Sequence, residues 1–192
     1  MAIVGCPLRS GSQLINAAVV FQRGEILGVV PKSYLPSYKE FQEERWFTPA
    51  YQLQESVIQI GGRTVPMDSY LLFEYEQVKV GVEICEDLWV PIPPSSELAM
   101  QGANLIFNLS ASNELIGKHT YLRSLIAQQS ARCIAGYIYA SAGFGESSTD
   151  LVFAGNGIIA ENGVILKESE RFSMEEQLVI SEIDVENLMH DR

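Results

Sequence analysis

The stretch Lys79-Val80-Gly81-Val82-Glu83-Ile84-Cys85 constrains the fold more than any other. It reads as a strand with nearly continuous burial, and it stops at an acidic turn, Glu86-Asp87, before Leu88-Trp89. A strand buried on both faces needs a layer on either side. The run 104–109 is a second strand of the same kind. Ser95 or Ser96 can cap a short helix reaching about Gln101. The clearest helix spans 119–133, where Leu122, Leu125, Ile126 and Cys133 fall on one face at helical spacing. A strand over 135–140 follows. The middle of the chain is therefore built of strand–helix–strand units. Hairpin signals occupy the two ends: 16–21 and 25–30 joined across Arg23-Gly24, and 152–160 and 164–168 turning at Asn162-Gly163. Further strands are expected at 2–6, 57–60, 69–73 and 178–183. Together these predict an α/β or α+β fold, a mixed sheet with helices outside, and one domain over 1–192.

Composition removes several classes of function. The chain has 192 residues, 47% of them hydrophobic, enough to bury a real core. Lys plus Arg total 13 against 24 Asp plus Glu, a net charge of −11 that disfavours nucleic acid as a partner. No apolar run approaches the ~20 residues of a membrane-spanning helix, and no basic segment followed by an apolar one reads as a signal peptide. Three cysteines are too few for a disulfide scaffold, and their odd number points to a reducing, cytoplasmic compartment. The two histidines, His119 and His190, are far apart, so no zinc site is expected.

Cys85 ends a buried strand and begins a turn, a position where α/β sheets place reactive groups. Its neighbours Glu83, Glu86 and Asp87 disfavour a thiolate, so a nucleophilic Cys85 needs a nearby cation and a base. By position alone, a small buried hydrophobe is the commoner reading of a cysteine. Lys32 also ends a strand, and a lysine so placed can act as a fixed cation over an oxyanion. It opens a loop crowded with Tyr34, Tyr38, Phe41, Trp46 and Phe47, residues that line pockets or interfaces, and Glu40 lies in the same loop. Cys6 and Cys133 read as core, and His119 as a capping or solvated residue. The Gly143-Phe144-Gly145 stretch lacks the strand and helix context of a dinucleotide loop. Ser110 to Ser112 line a pocket or form a plain turn, and the acids from Glu175 to Asp191 form a solvated face.

Pro31-Lys32-Ser33-Tyr34-Leu35-Pro36-x-Tyr38-x-Glu40-Phe41 and Gly81-Val82-Glu83-Ile84-Cys85-Glu86-Asp87-Leu88-Trp89 resemble the lysine and cysteine motifs of the nitrilase, or carbon–nitrogen hydrolase, superfamily. More narrowly, they resemble the amino-terminal glutaminase domain of bacterial glutamine-dependent NAD⁺ synthetases. Asn108-Leu109-Ser110-Ala111-Ser112, Ser130-Ala131-Arg132-Cys133, the segment 143–150, Gly155 and the run 161–172 extend the resemblance, which covers about residues 3 to 190.

The resemblance implies a four-layer α-β-β-α sandwich that assembles into homo-oligomers, and a Glu-Lys-Cys triad. It implies that Cys85 attacks the amide of L-glutamine, that Lys32 and the Glu86 N–H stabilise the oxyanion, and that Glu40 positions lysine and substrate. Tyr38, Phe41, Glu86, Trp89 and Ser112 resemble glutamine-pocket positions. The triad glutamate belongs to a segment upstream of the part matched here, and no glutamate precedes Glu25. The resemblance therefore implies a domain truncated at its N-terminus. It also implies that the C-terminal synthetase domain, which uses ATP and Mg²⁺ to amidate nicotinic acid adenine dinucleotide, lies outside this chain. No cofactor is expected for the glutaminase part itself. Two other readings stay open: a carbon–nitrogen hydrolase acting on a simple amide, nitrile or carbamoyl compound, and an inactive module used for oligomerisation or docking.

Overall fold

Successive β-rich runs pair in chain order at the start of the molecule. The computed structural model describes residues 1–146 and 150–192. In it, β1 (Ala2–Ser10), β2 (Gln13–Gln22) and β3 (Glu25–Pro31) form a three-stranded antiparallel sheet. A small hairpin, β4 (Val57–Ile60) and β5 (Arg63–Pro66), follows. The second sheet comprises β6 (Phe73–Tyr75), β7 (Val78–Ile84), β8 (Leu105–Ser110), β9 (Gly136–Ser141), β10 (Gly157–Glu161) and β11 (Val164–Glu168). Its strand order is β11-β10-β9-β8-β7-β6. Only the central pairs, β7 with β8 and β8 with β9, are parallel. They are connected by α1 (Pro94–Met100) and α2 (Lys118–Cys133), and α3 (Val185–His190) lies near the end of the chain.

The period of two along β7 explains the layering. Val80, Val82 and Ile84 pack with Ala18, Val20 and Val30 of the three-stranded sheet. The intervening Gly81 faces α1, where an added Cβ would stand 3.0 Å from Leu98 Cδ1 and would require Leu98 to shift. Behind the six-stranded sheet, Leu98, Ile106, Ile126 and Ile158 are fully covered, each burial contributing roughly 1.5–3 kcal/mol. Ile15, Val19, Val29, Ile58, Val65 and Met67 form a third cluster under the β4–β5 hairpin. The layers thus run helices, six-stranded sheet, three-stranded sheet, hairpin. This is the expected α/β sandwich; among the described residues the layer outside the three-stranded sheet is the β4–β5 hairpin.

The expected strand at 69–73 is absent except for its last residue, Phe73, which begins β6. Ser69 instead turns its buried hydroxyl to the Pro31 carbonyl at 3.0 Å, which fastens the loop to the end of β3. The segment 178–183 forms no strand either. It lies across the sheet without pairing its backbone: Val179 packs over Gly157 and Ile183 over Gly136, while Leu178 and Ile180 stay exposed. The hairpin expected from 152 onwards pairs only from Gly157. The short elements β5 and α3 have no counterpart in the sequence reading; α3 is capped by Asp184, whose carboxylate accepts from the Asn187 N–H. Of the segment 143–150, residues 147–149 lie outside the described residues. Among the described residues no helix is long and apolar enough to cross a membrane.

Candidate active site

Four strand ends converge on one side of the molecule. Cys85 follows β7, Lys32 follows β3, Ser110 ends β8 and Ser141 ends β9. This is the end of a parallel sheet at which α/β proteins gather reactive groups. Cys85 has a φ of +50°, in the left-handed region that costs a cysteine on the order of 1–3 kcal/mol. The turn is sharp, and the residue is partly exposed at its tip.

Asp87 pins this turn to the lysine segment. One carboxylate oxygen accepts from the N–H groups of Tyr34 at 2.8 Å and Ser33 at 3.2 Å, and the other accepts from Ile84 N–H at 2.9 Å. The two backbone segments that carry Lys32 and Cys85 are thereby fixed to one buried side chain. Burial pushes the Asp87 carboxyl from its ordinary 3.8 up to about 7, against the pull of those N–H donors and of Lys32. A carboxyl raised in the folded state stabilises the fold below its ordinary value, and that contribution is lost as pH rises through about 7. Asp87→Asn is therefore expected to flatten the fall in stability between pH 4 and about 7, read as urea midpoints at the two ends. Glu83, which burial also pushes up, keeps its own share of that slope. An unchanged slope in the variant would show Asp87 ionised throughout.

Lys32 is almost wholly buried, 1% exposed, and its ammonium contacts both oxygens of Glu43, at 2.6 and 2.8 Å. The carboxylate on the lysine is thus Glu43, eleven residues on, and not Glu40. Glu40 points the other way and accepts from Asn113 Nδ2. A loop of this length, closed by the Phe41 N–H to Tyr38 carbonyl bond at 3.0 Å and the Glu43 N–H to Pro36 carbonyl bond at 3.1 Å, brings either acid within reach of the site. Sequence spacing alone does not distinguish them.

Cys85 lies between two cavities. The first, about 230 Å³, is lined by Tyr38, Glu40, Phe41, Glu86, Trp89, Ser112, Asn113 and Lys118 among others. All five residues expected to form a substrate pocket line this space together. Tyr38 donates to Glu86 at 2.8 Å, and burial together with that bond pushes its phenol up to about 12. Tyr38 and Phe41 meet edge to face with ring centres 6.2 Å apart. The second cavity, about 400 Å³, holds Lys32, Glu43, Asn16, Ser110, Ser141 and Glu146 in its wall.

Lys118 and Asn113 were not singled out from the sequence. Lys118 donates to the Asn113 carbonyl at 3.0 Å and to Asn113 Oδ1 at 2.8 Å, and its ammonium stands 5.1 Å from the centre of the Trp89 ring. Half-burial pushes the Lys118 ammonium down, while Glu40, Glu114 and Glu86 push it back. The available signal was its place one residue past Gly117, opening α2 on the side facing the aromatic loop. The three cysteines are all unpaired, and among the described residues no three His, Cys, Asp or Glu side chains converge as for a metal ion.

A thiol on a strained turn, a buried lysine held by a carboxylate, and an adjoining cavity with groups of both charge signs can carry out acyl transfer on an amide. Comparison with known proteins gives the same direction. The family model described as carbon–nitrogen hydrolase matches residues 1–191. Over 193 residues the chain is 46% identical to the glutamine-dependent NAD(+) synthetase of Mycobacterium tuberculosis (strain ATCC 25618 / H37Rv), covering 99% of this chain and 28% of that protein. It is 34% identical to the Thermotoga maritima protein of the same name, again covering 28% of it. The crystal structure of a glutamine-dependent NAD(+) synthetase from Cytophaga hutchinsonii superimposes with a TM-score of 0.81 at 25% identity, over 93% of this chain and 29% of the other. The chain therefore spans less than a third of the length of the curated relatives it matches.

Proposed function

The chain belongs to the carbon–nitrogen hydrolase family, and on that footing we propose that it hydrolyses the side-chain amide of L-glutamine as the ammonia-producing part of a glutamine-dependent NAD⁺ synthetase. The observation that carries the reading is the pairing of charges beside the thiol. Glu86 and Glu40 offer anions, and Lys118 a cation, around a cavity that also holds Cys85. An α-ammonium and an α-carboxylate fit those groups, which leaves the side-chain amide free to reach the sulfur. A simple neutral amide would leave these charges with only the neutral partners they already have, Tyr38, Asn113 and the Trp89 ring.

In this mechanism the Cys85 sulfur attacks the amide carbon. The carbonyl becomes an oxyanion, which Lys32 and the Glu86 N–H stabilise. The thiol proton passes through a carboxylate to the departing nitrogen, the C–N bond breaks, and ammonia leaves behind a thioester on Cys85. Water then adds to the thioester and releases glutamate and the free thiol. Within the Lys32 cavity the carboxylates are Glu43 and Glu146, and Glu43 is the one held against the lysine. Ammonia would pass to a C-terminal domain that uses ATP and Mg²⁺ to amidate nicotinic acid adenine dinucleotide. That ligase step would belong to the partner domain. Three free thiols suit a reducing cytoplasm, and a homo-oligomer would fit the family.

Ammonia release from L-glutamine tests the reading, with butyramide as the neutral comparison. Lys118→Met is expected to raise KM for L-glutamine about ten- to hundredfold, the worth of a charge-assisted hydrogen bond, and to leave butyramide unchanged. An equal effect on both amides would remove Lys118 from substrate recognition. No ammonia, with Cys85 still labelled by an electrophilic glutamine analogue, would mean a formed pocket without a working base. No ammonia and no labelling would favour the docking module.

A further inference from the structure

We propose that Asn108 is a positioning residue for the nucleophile, fixing the backbone turn that presents the Cys85 thiol. The proposal rests on the reading of Cys85 as the attacking group. A cysteine at a φ of +50° does not hold that conformation unaided, so neighbouring groups must impose it. The N–H of Cys85 is bonded to the side-chain oxygen of Asn108 at 3.2 Å. Asn108 lies on the adjacent parallel strand β8, in register with Glu83, and is 1% exposed.

The orientation of the Asn108 amide is itself determined by a buried chain of bonds. Glu83, 1% exposed, accepts from the Ser95 N–H at 2.8 Å and from the Tyr137 hydroxyl. Because Tyr137 gives its proton to Glu83, its oxygen is left to accept, and it accepts from Asn108 Nδ2 at 3.2 Å. That leaves Asn108 Oδ1 directed at the Cys85 turn, where Ser110 also donates to it at 2.7 Å. Burying this many polar groups is unfavourable compared with an apolar cluster of the same volume. None of the four side chains Glu83, Tyr137, Asn108 and Ser95 lines the glutamine-sized cavity, so substrate contact does not account for them. Holding the Cys85 amide does.

The test measures iodoacetamide alkylation of Cys85 and of Cys6, site by site, by mass spectrometry in the 192-residue protein. Cys6 lies on β1, away from the network, and serves as the internal reference. Asn108→Ala is expected to slow Cys85 about tenfold relative to Cys6, and to lower kcat for glutamine with KM within about threefold. A merely structural role would lower the melting temperature without changing the Cys85-to-Cys6 ratio. Asn108→Asp keeps the oxygen that faces Cys85. Burial beside Glu83 holds the new carboxyl protonated, so its O–H stands in for the Nδ2–H, and most of the Cys85 rate should return.

Folded Asn108→Ala with both thiols reacting at parental rates would overturn the proposal. Should that variant unfold, Asn108→Leu, which keeps the volume without the oxygen, decides: a tenfold fall at Cys85 alone supports the proposal, and a parental ratio overturns it. The alkylation ratio needs no glutamine hydrolysis. A parent that neither releases ammonia nor is labelled by the glutamine analogue would sink the glutaminase reading and leave the ratio to judge Asn108. Normal ammonia release with an unchanged ratio would sink only Asn108.

Discussion

Cys85→Ala is expected to abolish ammonia release from L-glutamine, a loss of at least about 10⁴-fold, while the protein stays folded. The thioester route has no substitute for the sulfur: without it the pocket binds substrate but forms no covalent intermediate. Alanine is smaller than cysteine and fits the partly exposed turn, so the melting curve should change little. In a chain that also carries the synthetase domain, synthesis from free ammonia should continue at its usual rate. Loss of both activities would mean that Cys85 supports the fold rather than the chemistry. Retention of hydrolysis would exclude it as the nucleophile.

Lys32→Met is expected to lower kcat for glutamine by about 10²–10³, with KM little changed. The lysine would act on charge that develops only after attack, so ground-state binding should not register its loss. Methionine fills the same buried channel without a charge. It also leaves Glu43 without its cation, and because Glu43 is 25% exposed, water can take over part of that role. The fold should therefore survive, and Lys32→Met combined with Glu43→Gln should melt no lower than Lys32→Met. A fall in kcat smaller than about tenfold would assign Lys32 to structure alone, as the buried partner of Glu43.

The parts of this protein that were legible in the sequence share a physical feature: they are periodic or chemically unusual over a short window. The run 79–85 shows its double burial in its own residues, and α2 shows its packed face through Leu122, Ile126 and Cys133. Tyr38, Phe41, Glu86, Trp89 and Ser112 are named together by motif resemblance, and one cavity is lined by all five. Choices made by tertiary contact were not legible. Glu40 and Glu43 stand in the same loop with the same chemistry, and only the turn closed at Tyr38 and Pro36 settles which one faces Lys32. No motif in the sequence marks Lys118, whose place at the site is set by Trp89 and Asn113, which enclose it. The segment 178–183 has the composition of a strand, yet Val179 and Ile183 pack against two glycines, Gly157 and Gly136, and the segment joins no sheet among the described residues. Asn108 reads as a polar end to an apolar strand, and its role depends on Tyr137, contributed by the next strand over.

The left-handed backbone at Cys85 also bears on how such a sequence persists. A population screened only for folding would drift toward glycine at this position, because glycine adopts the conformation without strain. A side chain that folding disfavours stays only while something else rewards it. In this chain the least comfortable residue of the turn is also the one able to react. Lineages that stop using the chemistry should therefore lose the thiol early, well before the buried strands around it begin to change.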